Sequence, residues 1–233
     1  MRIPDSPVRS VADLGAGAGN VTKLLRERWP DALVVGVEGS AEMVAAGKKA
    51  APDIEWLHQD LESWQPGRKY DVIYSNAALH WLPDHQTLFP LLMQRLEPGG
   101  ILAVQMPRNF EAPSHLLIAE TALNGPWCKQ VQHLITPPPV NEPAFYHDLL
   151  VPNSENTDIW QTEYLQVLEG ENPVKEWTKG TWLTRYLDAL EGEDKAGFEA
   201  AYGERVSKAY PRNSRGQTLF PFRRLFLLAQ RKR

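Results

Sequence analysis

Asp13-Leu14-Gly15-Ala16-Gly17-Ala18-Gly19 is the stretch that decides how this chain reads. Glycines at alternate positions let a backbone turn tightly and approach a ligand without Cβ clashes. The apolar run Val8–Leu14 ahead of the turn reads as a buried strand. Behind it, Val21–Trp29 carries Val21, Leu24, Leu25 and Trp29 on one helical stripe, stopped by Pro30. A strand, a glycine turn and a helix in that order set the free N–H groups of a helix N-terminus beside the turn. A dinucleotide fingerprint would read Gly-x-Gly-x-x-Gly, with phosphates on that terminus. Here the third glycine comes one residue early and is followed by Asn20. Such a loop, preceded by an acid, suits a ligand with a cationic amino-acid tail and no phosphate.

The same rhythm continues outward. Leu33–Val37 reads as a second buried strand, and Ser40 as the N-cap of a helix over Ala41–Ala50, closed by Pro52. Ile54–Leu57 and Asp71–Ser75 read as the third and fourth strands. Leu88–Leu96 reads as a helix ended by Glu97-Pro98-Gly99-Gly100, and Ile101–Gln105 as a fifth strand. Strands separated by helices predict an α/β fold, a parallel sheet with right-handed crossovers and helices on both faces. After Met106 the pattern changes. Ser114–Leu123 reads as a helix, the proline-rich stretch after it as a loop, and Asp158–Leu168 as a strand. Lys175–Leu190 and Lys195–Tyr210 read as amphipathic helices, and Leu219–Ala229 as a last strand. Helices inserted between late strands predict a cap over the carboxyl ends of the sheet, where open α/β sheets bind ligands.

Three further features fall at the carboxyl ends of successive strands. Glu38 ends the second, where a carboxylate can accept from both ribose hydroxyls. Gln59-Asp60-Leu61 follows the third, where Asp60 can accept from an adenine amino group, and Asn76-Ala77 follows the fourth with small side chains that permit close approach. Any one of these could be a helix cap or a solvated acid; together with the glycine loop they describe a site for an adenosyl ligand.

Composition bounds the alternatives. The chain has 233 residues, and its 25 Lys and Arg against 29 Asp and Glu give a net charge of -4, without the strongly basic balance of a dedicated nucleic-acid binder. A single cysteine, Cys128, can form neither an intramolecular disulfide nor a cysteine-rich zinc site. Met1–Ser10 lacks the apolar region of a signal peptide, and no apolar run reaches the roughly 18–20 residues a membrane span needs. A cytoplasmic protein without a membrane partner is the expectation. His80 and His85 flank Asp84, but Pro83 breaks helical spacing and no companion cluster appears, so no metal is expected.

Val11–Gly19, Glu38, Gln59-Asp60-Leu61, Asn76–Leu82 and Leu96–Leu102 resemble the class I S-adenosylmethionine-dependent methyltransferases. Within these, Asn76–His85, Ala103–Pro107, Glu176–Thr181 and Arg224-Leu225-Phe226 are similar to the trans-aconitate 2-methyltransferase family, over about Val11 to Ala229. The resemblance implies a Rossmann-like, seven-stranded, mostly parallel doubly wound sheet whose last strand is antiparallel. Residues 1–107 would form the cofactor-binding core, 108–156 and 170–215 the cap, and 157–169 with 216–233 a β-hairpin completing the sheet. It implies S-adenosylmethionine as cofactor, leaving as S-adenosylhomocysteine. The cofactor would be held by Asp13, Gly15, Ala16, Gly17, Asn20, Glu38, Gly39, Met43, Asp60, Leu61, Asn76 and Ala77. The implied reaction is carboxyl O-methylation of a small di- or tricarboxylic acid, trans-aconitate first, by a monomer or homodimer.

The chain departs from the family in places. Members carry a longer segment ahead of the first strand, including a helix over the cofactor, so a lid is expected to be absent or to come from another chain. Met106-Pro107-Arg108-Asn109 stands where the family has Met-Pro-Asp-Asn, Thr181-Trp182-Leu183-Thr184-Arg185 where it has Thr-Gly-Leu-Arg-Pro, and an arginine stands in Phe222-Arg223-Arg224-Leu225-Phe226 where many members have proline. All three lie where substrate should sit.

A carboxylate nucleophile is already ionised at neutral pH, its reference pKa being about 4, so no strong base is required. Positioning can supply roughly 7–11 kcal/mol. The remaining carboxylates call for arginine. Arg108, Arg185, Arg223 and Arg224 are candidates, with Lys179 as a point charge. His80, past the fourth strand, is the candidate catalytic group, bonding a carboxylate or polarising a phenol. Trp81, Gln105, Tyr146 and Trp182 would join His80, Arg108, Arg185 and Arg223 around substrate, and Asn109 could line the same cleft. Three alternatives stay open: an O-methyltransferase for another acid or a phenol, a non-catalytic adenosyl-binding protein, and an NAD-dependent oxidoreductase. Asn20 and the lack of a Tyr-x-x-x-Lys pair count against the last.

Overall fold

Val11, Ala12 and Leu14 are buried on both faces of β1 (Ser10–Leu14), and Val34, Val35 and Val37 do the same in β2 (Leu33–Glu38). Strands of this kind belong at the centre of a sheet covered on both sides. In a computed structural model describing residues 7–233, β1 pairs in parallel with β2 and with β4 (Tyr70–Asn76), β2 with β3 (Glu55–His58), and β4 with β5 (Leu96–Pro107). The segment ahead of β1, to which the expected loss of a lid refers, lies outside the described residues as far as Ser6. The sheet has seven strands in the order β3-β2-β1-β4-β5-β7-β6, completed by β6 (Ser154–Leu168) and β7 (Thr218–Arg231). Glu155 meets Arg233, Trp160 meets Phe226 and Glu163 meets Arg223, so partner numbers fall on one strand as they rise on the other. β6 and β7 are therefore antiparallel, and the expected doubly wound class holds.

The chain divides into two units. Unit 1 comprises residues 1–106, 141–161 and 225–233, and unit 2 residues 107–140 and 162–224. Residues 141–156, assigned from the sequence to the cap, thus fall in unit 1, and both late strands cross the division.

In unit 1, α1 (Asn20–Arg28) and α2 (Ala41–Ala50) cover one face of the sheet through Leu25 and Val44. Ser40 caps α2, its hydroxyl accepting from Met43 N at 3.3 Å. Beneath lies Trp56, whose Nε1 donates to Ala51 O at 3.1 Å. A Cβ on Gly19, Gly36 or Gly47 would come within 2.6, 2.9 or 2.4 Å of its ring. α3 (His85–Gln94), which tolerates Pro90 inside it, packs on α6 (Pro143–Leu150). His85 Nδ1 lies 2.7 Å from Tyr146 Oη, and the Phe89 ring centroid 4.9 Å from that of Tyr146.

Unit 2 is built on α4 (Pro113–Leu123), α5 (Cys128–Val131), α7 (Pro173–Lys179), α8 (Thr184–Leu187) and α9 (Gly192–Ala209), around Phe198, Tyr202, Phe220 and Phe222. Tyr202 Oη donates to Ser114 O at 2.9 Å and sits 3.0 Å from Thr178 Oγ1, tying three helices. The helix expected over Lys175–Leu190 is broken in two at Gly180, which caps α7. Glu97–Gly100, read as a turn, belongs to β5 and pairs through a register shift opposite Tyr70–Val72. Among the described residues no helix is long and apolar enough to cross a membrane.

Helix propensity alone favours Gly47→Ala by about 1 kcal/mol. The Trp56 ring reverses the sign: the variant is expected to lose about 1–3 kcal/mol through overpacking. Denaturant unfolding of Gly47→Ala checks this, and a gain in stability would contradict it.

Candidate functional site

Asp13 ends β1 with its carboxylate buried, accepting from Thr22 Oγ1 at 2.6 Å. Burial pushes its pKa up to about 6; the Thr22 hydrogen bond pulls it down and the charge of Glu38 pushes it further up. The chain then turns at Gly15, whose φ of +76° suits glycine and whose missing Cβ would lie 2.1 Å from that of Ala78. Gly15 N and Ala16 N both donate to Val37 O, at 2.9 and 3.1 Å, which pins the loop to β2. The next residue of β2 is Glu38. Its two oxygens accept from Gly17 N and Ser40 N, each at 2.9 Å. A carboxylate has about four lone-pair sites, so two remain for ligand hydroxyls.

The other expected cofactor residues stand around this loop. Met43 Sδ lies 3.9 Å from where a Gly17 Cβ would be, and Leu61 Cδ1 3.7 Å from the Gly15 position. Asp60 folds its own turn, Oδ1 accepting from Glu62 N at 2.9 Å, and Gly39 O faces His58 Nε2 at 3.0 Å. Asn20 is exposed at the first position of α1. Ala77, at φ +53°, donates its N–H to Gln105 O at 2.9 Å, and Asn76 pairs in register with Gln105. The ends of β4 and β5 therefore hold the turn that meets Gly15.

These residues fit S-adenosylmethionine. The open side of Gly17 gives backbone approach, Asp13 offers an anion for an ammonium, and Glu38 and Asp60 offer acceptors for hydroxyls and an amino group. Sequence reasoning had Ser40 only as a helix cap and missed Thr22 and Ala78 as site residues. Thr22 left a signal, a hydroxyl in the first turn of the helix after the loop.

The expected substrate residues divide between the units. In unit 1, His80 is buried in a single turn at Leu79–Trp81, beside the exposed Trp81 at 4.7 Å between ring centroids. Burial, with a smaller effect from His85, pushes the His80 pKa down to about 4, so the ring is neutral at pH 7. Gln105 is buried along a groove of about 200 Å³ with Tyr74, Asn76, Trp160 and Phe226. Tyr146, expected to cap a cleft, is instead fully buried in the core of unit 1. Its hydroxyl meets His85 and accepts from Asn141 N at 3.2 Å, because the proline-rich stretch gives way to α6.

In unit 2, Arg108 is buried with Glu111 3.4 Å away. Trp182 lies edge-on to Phe110, with Arg185 over its ring at 4.9 Å. The Arg223 guanidinium is turned to Glu163 at 3.4 Å on the surface, and Lys179 to Glu199 at 2.8 Å. Arg224 lies 5.0 Å over the Phe222 ring. Sequence reasoning did not single out Phe110 and His115, whose rings are 5.2 Å apart.

Residues 11–100 match a family described as a methyltransferase domain. The chain is 46% identical over 230 residues to the trans-aconitate 2-methyltransferase of Azoarcus sp. strain BH72, covering 99% of this chain and 90% of that protein. It is 41% identical over 237 residues to the Streptomyces avermitilis protein of the same name, covering 99% and 87%. Among solved structures, YcgJ of Bacillus subtilis shares the fold at a TM-score of 0.61 and 16% identity, over 97% of this chain and 93% of that one. Phosphoethanolamine N-methyltransferase 2 of Haemonchus contortus shares it at 0.56 and 13%, over 99% of this chain and 50% of that one. At such identity to curated relatives over nearly its whole length, the chain belongs to the trans-aconitate 2-methyltransferase family of S-adenosylmethionine-dependent methyltransferases.

Proposed function

We propose that this chain methylates one carboxylate of trans-aconitate, forming a monomethyl ester. The observation that carries the reading is the cradle of Asp13, Gly15–Gly17 and Glu38, in a chain whose relatives bear that substrate in their name. S-adenosylmethionine, when bound, supplies a methyl group on a positively charged sulfur, which a carboxylate oxygen displaces without any proton moving.

In this reading Asp13 binds the ammonium of the donor, Glu38 its ribose hydroxyls and Asp60 its adenine amino group. Asn20, Gly39, Met43, Leu61, Asn76 and Ala77 shape the walls. His80, neutral at working pH, offers a hydrogen bond to the reacting carboxylate and abstracts nothing. Trp81 and Gln105 hold the acid beside it. Arg108, Trp182, Arg185 and Arg223 are retained from the sequence as substrate contacts, with Arg108 foremost because it is buried. The enzyme in this reading is cytoplasmic, which the single Cys128 suits, and works as monomer or homodimer on a free small acid without a membrane partner; the net charge of -4 counts against a nucleic-acid partner.

Glu38→Ala is expected to weaken S-adenosylhomocysteine binding about 10- to 100-fold, the worth of charge-assisted hydrogen bonds. Calorimetric titration reads this directly, and unchanged affinity would remove the donor site from Glu38.

The raised pKa of Asp13 sets a pH dependence. Only the ionised carboxylate attracts an ammonium, so donor affinity should be full above about pH 6 and fall as pH drops through it. Asp13→Asn should bind weakly and without that step. A wild-type affinity that is flat from pH 5 to 8 would refute the pairing.

His80→Gln is expected to lower kcat by less than about 100-fold, since a hydrogen bond and no general base is lost. A kcat profile with an inflection near pH 4 that vanishes in His80→Gln would show a base after all.

A further inference from the structure

Unit 2 holds a polar side chain that its own folding leaves unused. Asn109, two residues past the end of β5, is 4% exposed. Its Oδ1 accepts from Arg223 N at 2.6 Å. A backbone N–H must meet the oxygen of an amide, so this contact fixes which way the carboxamide points. Nδ2, with its two N–H donors, is left buried and without a hydrogen-bond partner. Few buried donors in folded proteins go unmet, because the lost solvation is not returned. An apolar residue there would avoid that cost.

The surroundings indicate what would meet it. Arg108, the preceding residue, is 7% exposed, and its neighbour Glu111 lies 3.4 Å away at 60% exposed. Arg108 N donates to Arg223 O at 2.9 Å, so two adjacent residues are clamped to one residue of β7. The backbone behind them is tied as well, Ala112 N donating to Asn109 O at 2.8 Å. Amide donors on the residue that follows a buried arginine suit a carboxylate.

We propose that Asn109 determines the choice of acid: its Nδ2 donates to a substrate carboxylate that is not methylated, with Arg108 supplying the charge. This rests on the carboxyl methylation proposed above, and the carboxylate meant is the third one, which a tricarboxylate has and a dicarboxylate lacks. Sites of this type discriminate strongly, since an acid lacking the acceptor leaves the donors unmet again.

Asn109→Asp tests it, because a carboxylate still accepts from Arg223 N while the donor becomes a repelling anion. KM for trans-aconitate should rise at least 10-fold with kcat changed less than 3-fold, while KM for fumarate and the affinity for S-adenosylhomocysteine stay put. Calorimetric binding of trans-aconitate to the protein saturated with S-adenosylhomocysteine should be lost in parallel. Unchanged kinetics would overturn the assignment, as would equal losses for both acids together with a lowered melting midpoint, which would mark a structural residue. A wild-type protein that binds S-adenosylhomocysteine yet neither binds nor methylates trans-aconitate would overturn the proposed function, and this role with it.

Discussion

One indole ring holds the donor half of this protein in place. Trp56 sits where a glycine from the loop, one from β2 and one from α2 each give up the volume of a side chain. Close packing makes that arrangement mutual: the ring has one position because the three backbones surround it, and the backbones hold their spacing because the ring fills the gap. Gly19 ends the loop that carries Gly15 and Gly17, so the height of the loop above the sheet is set by an aromatic side chain on β3. Glu38 then fastens the loop laterally, through Gly17 N and Ser40 N. The glycine loop is thus held from below and from the side by contacts of the fold itself.

Much of unit 1 was legible in the sequence because its signals are local. Ser40 and Pro52 bracket α2, and the helix runs over the residues between them that were expected. Glu38, Asp60 and Asn76 were found because each follows a short apolar run, and the ends of such runs converge on one edge of a parallel sheet. Local signals also misled. Pro143 was read as part of a loop, yet it stands at the first turn of α6, where proline is at home. That error moved Tyr146 out of the core. Pro98-Gly99-Gly100 looked like a turn, but β5 carries it through a register shift. Gly180, unremarkable inside an amphipathic pattern, divides a helix.

The substrate side was less legible, for a physical reason. An arginine announces a charge but not its direction. Arg223 and Lys179 turn to Glu163 and Glu199 through contacts distant in sequence, and Arg185 lies on the nearby Trp182. Arg108 is different because its backbone is fastened to β7 and its side chain is buried. Nothing local marks Asn109 either; its fixed orientation depends on a residue more than a hundred positions away. The residues proposed for the donor are read from the elements they end, while those proposed for the acid are read only from the fold.

Asp13 makes the stability of the folded chain depend on pH. A carboxyl whose pKa climbs from 3.8 to about 6 on folding binds its proton more tightly in the folded state, so the fold loses stability as pH rises through that interval. Above it, the empty protein carries a cost of about 3 kcal/mol. A cation placed beside the carboxylate offsets that cost, and only the folded chain can place it there. In the function proposed above the ammonium of the donor is that cation, and relief of the cost is one part of its binding energy: a cell short of donor then holds this protein nearer its unfolding threshold, and S-adenosylhomocysteine, which keeps the ammonium, protects it as the donor does.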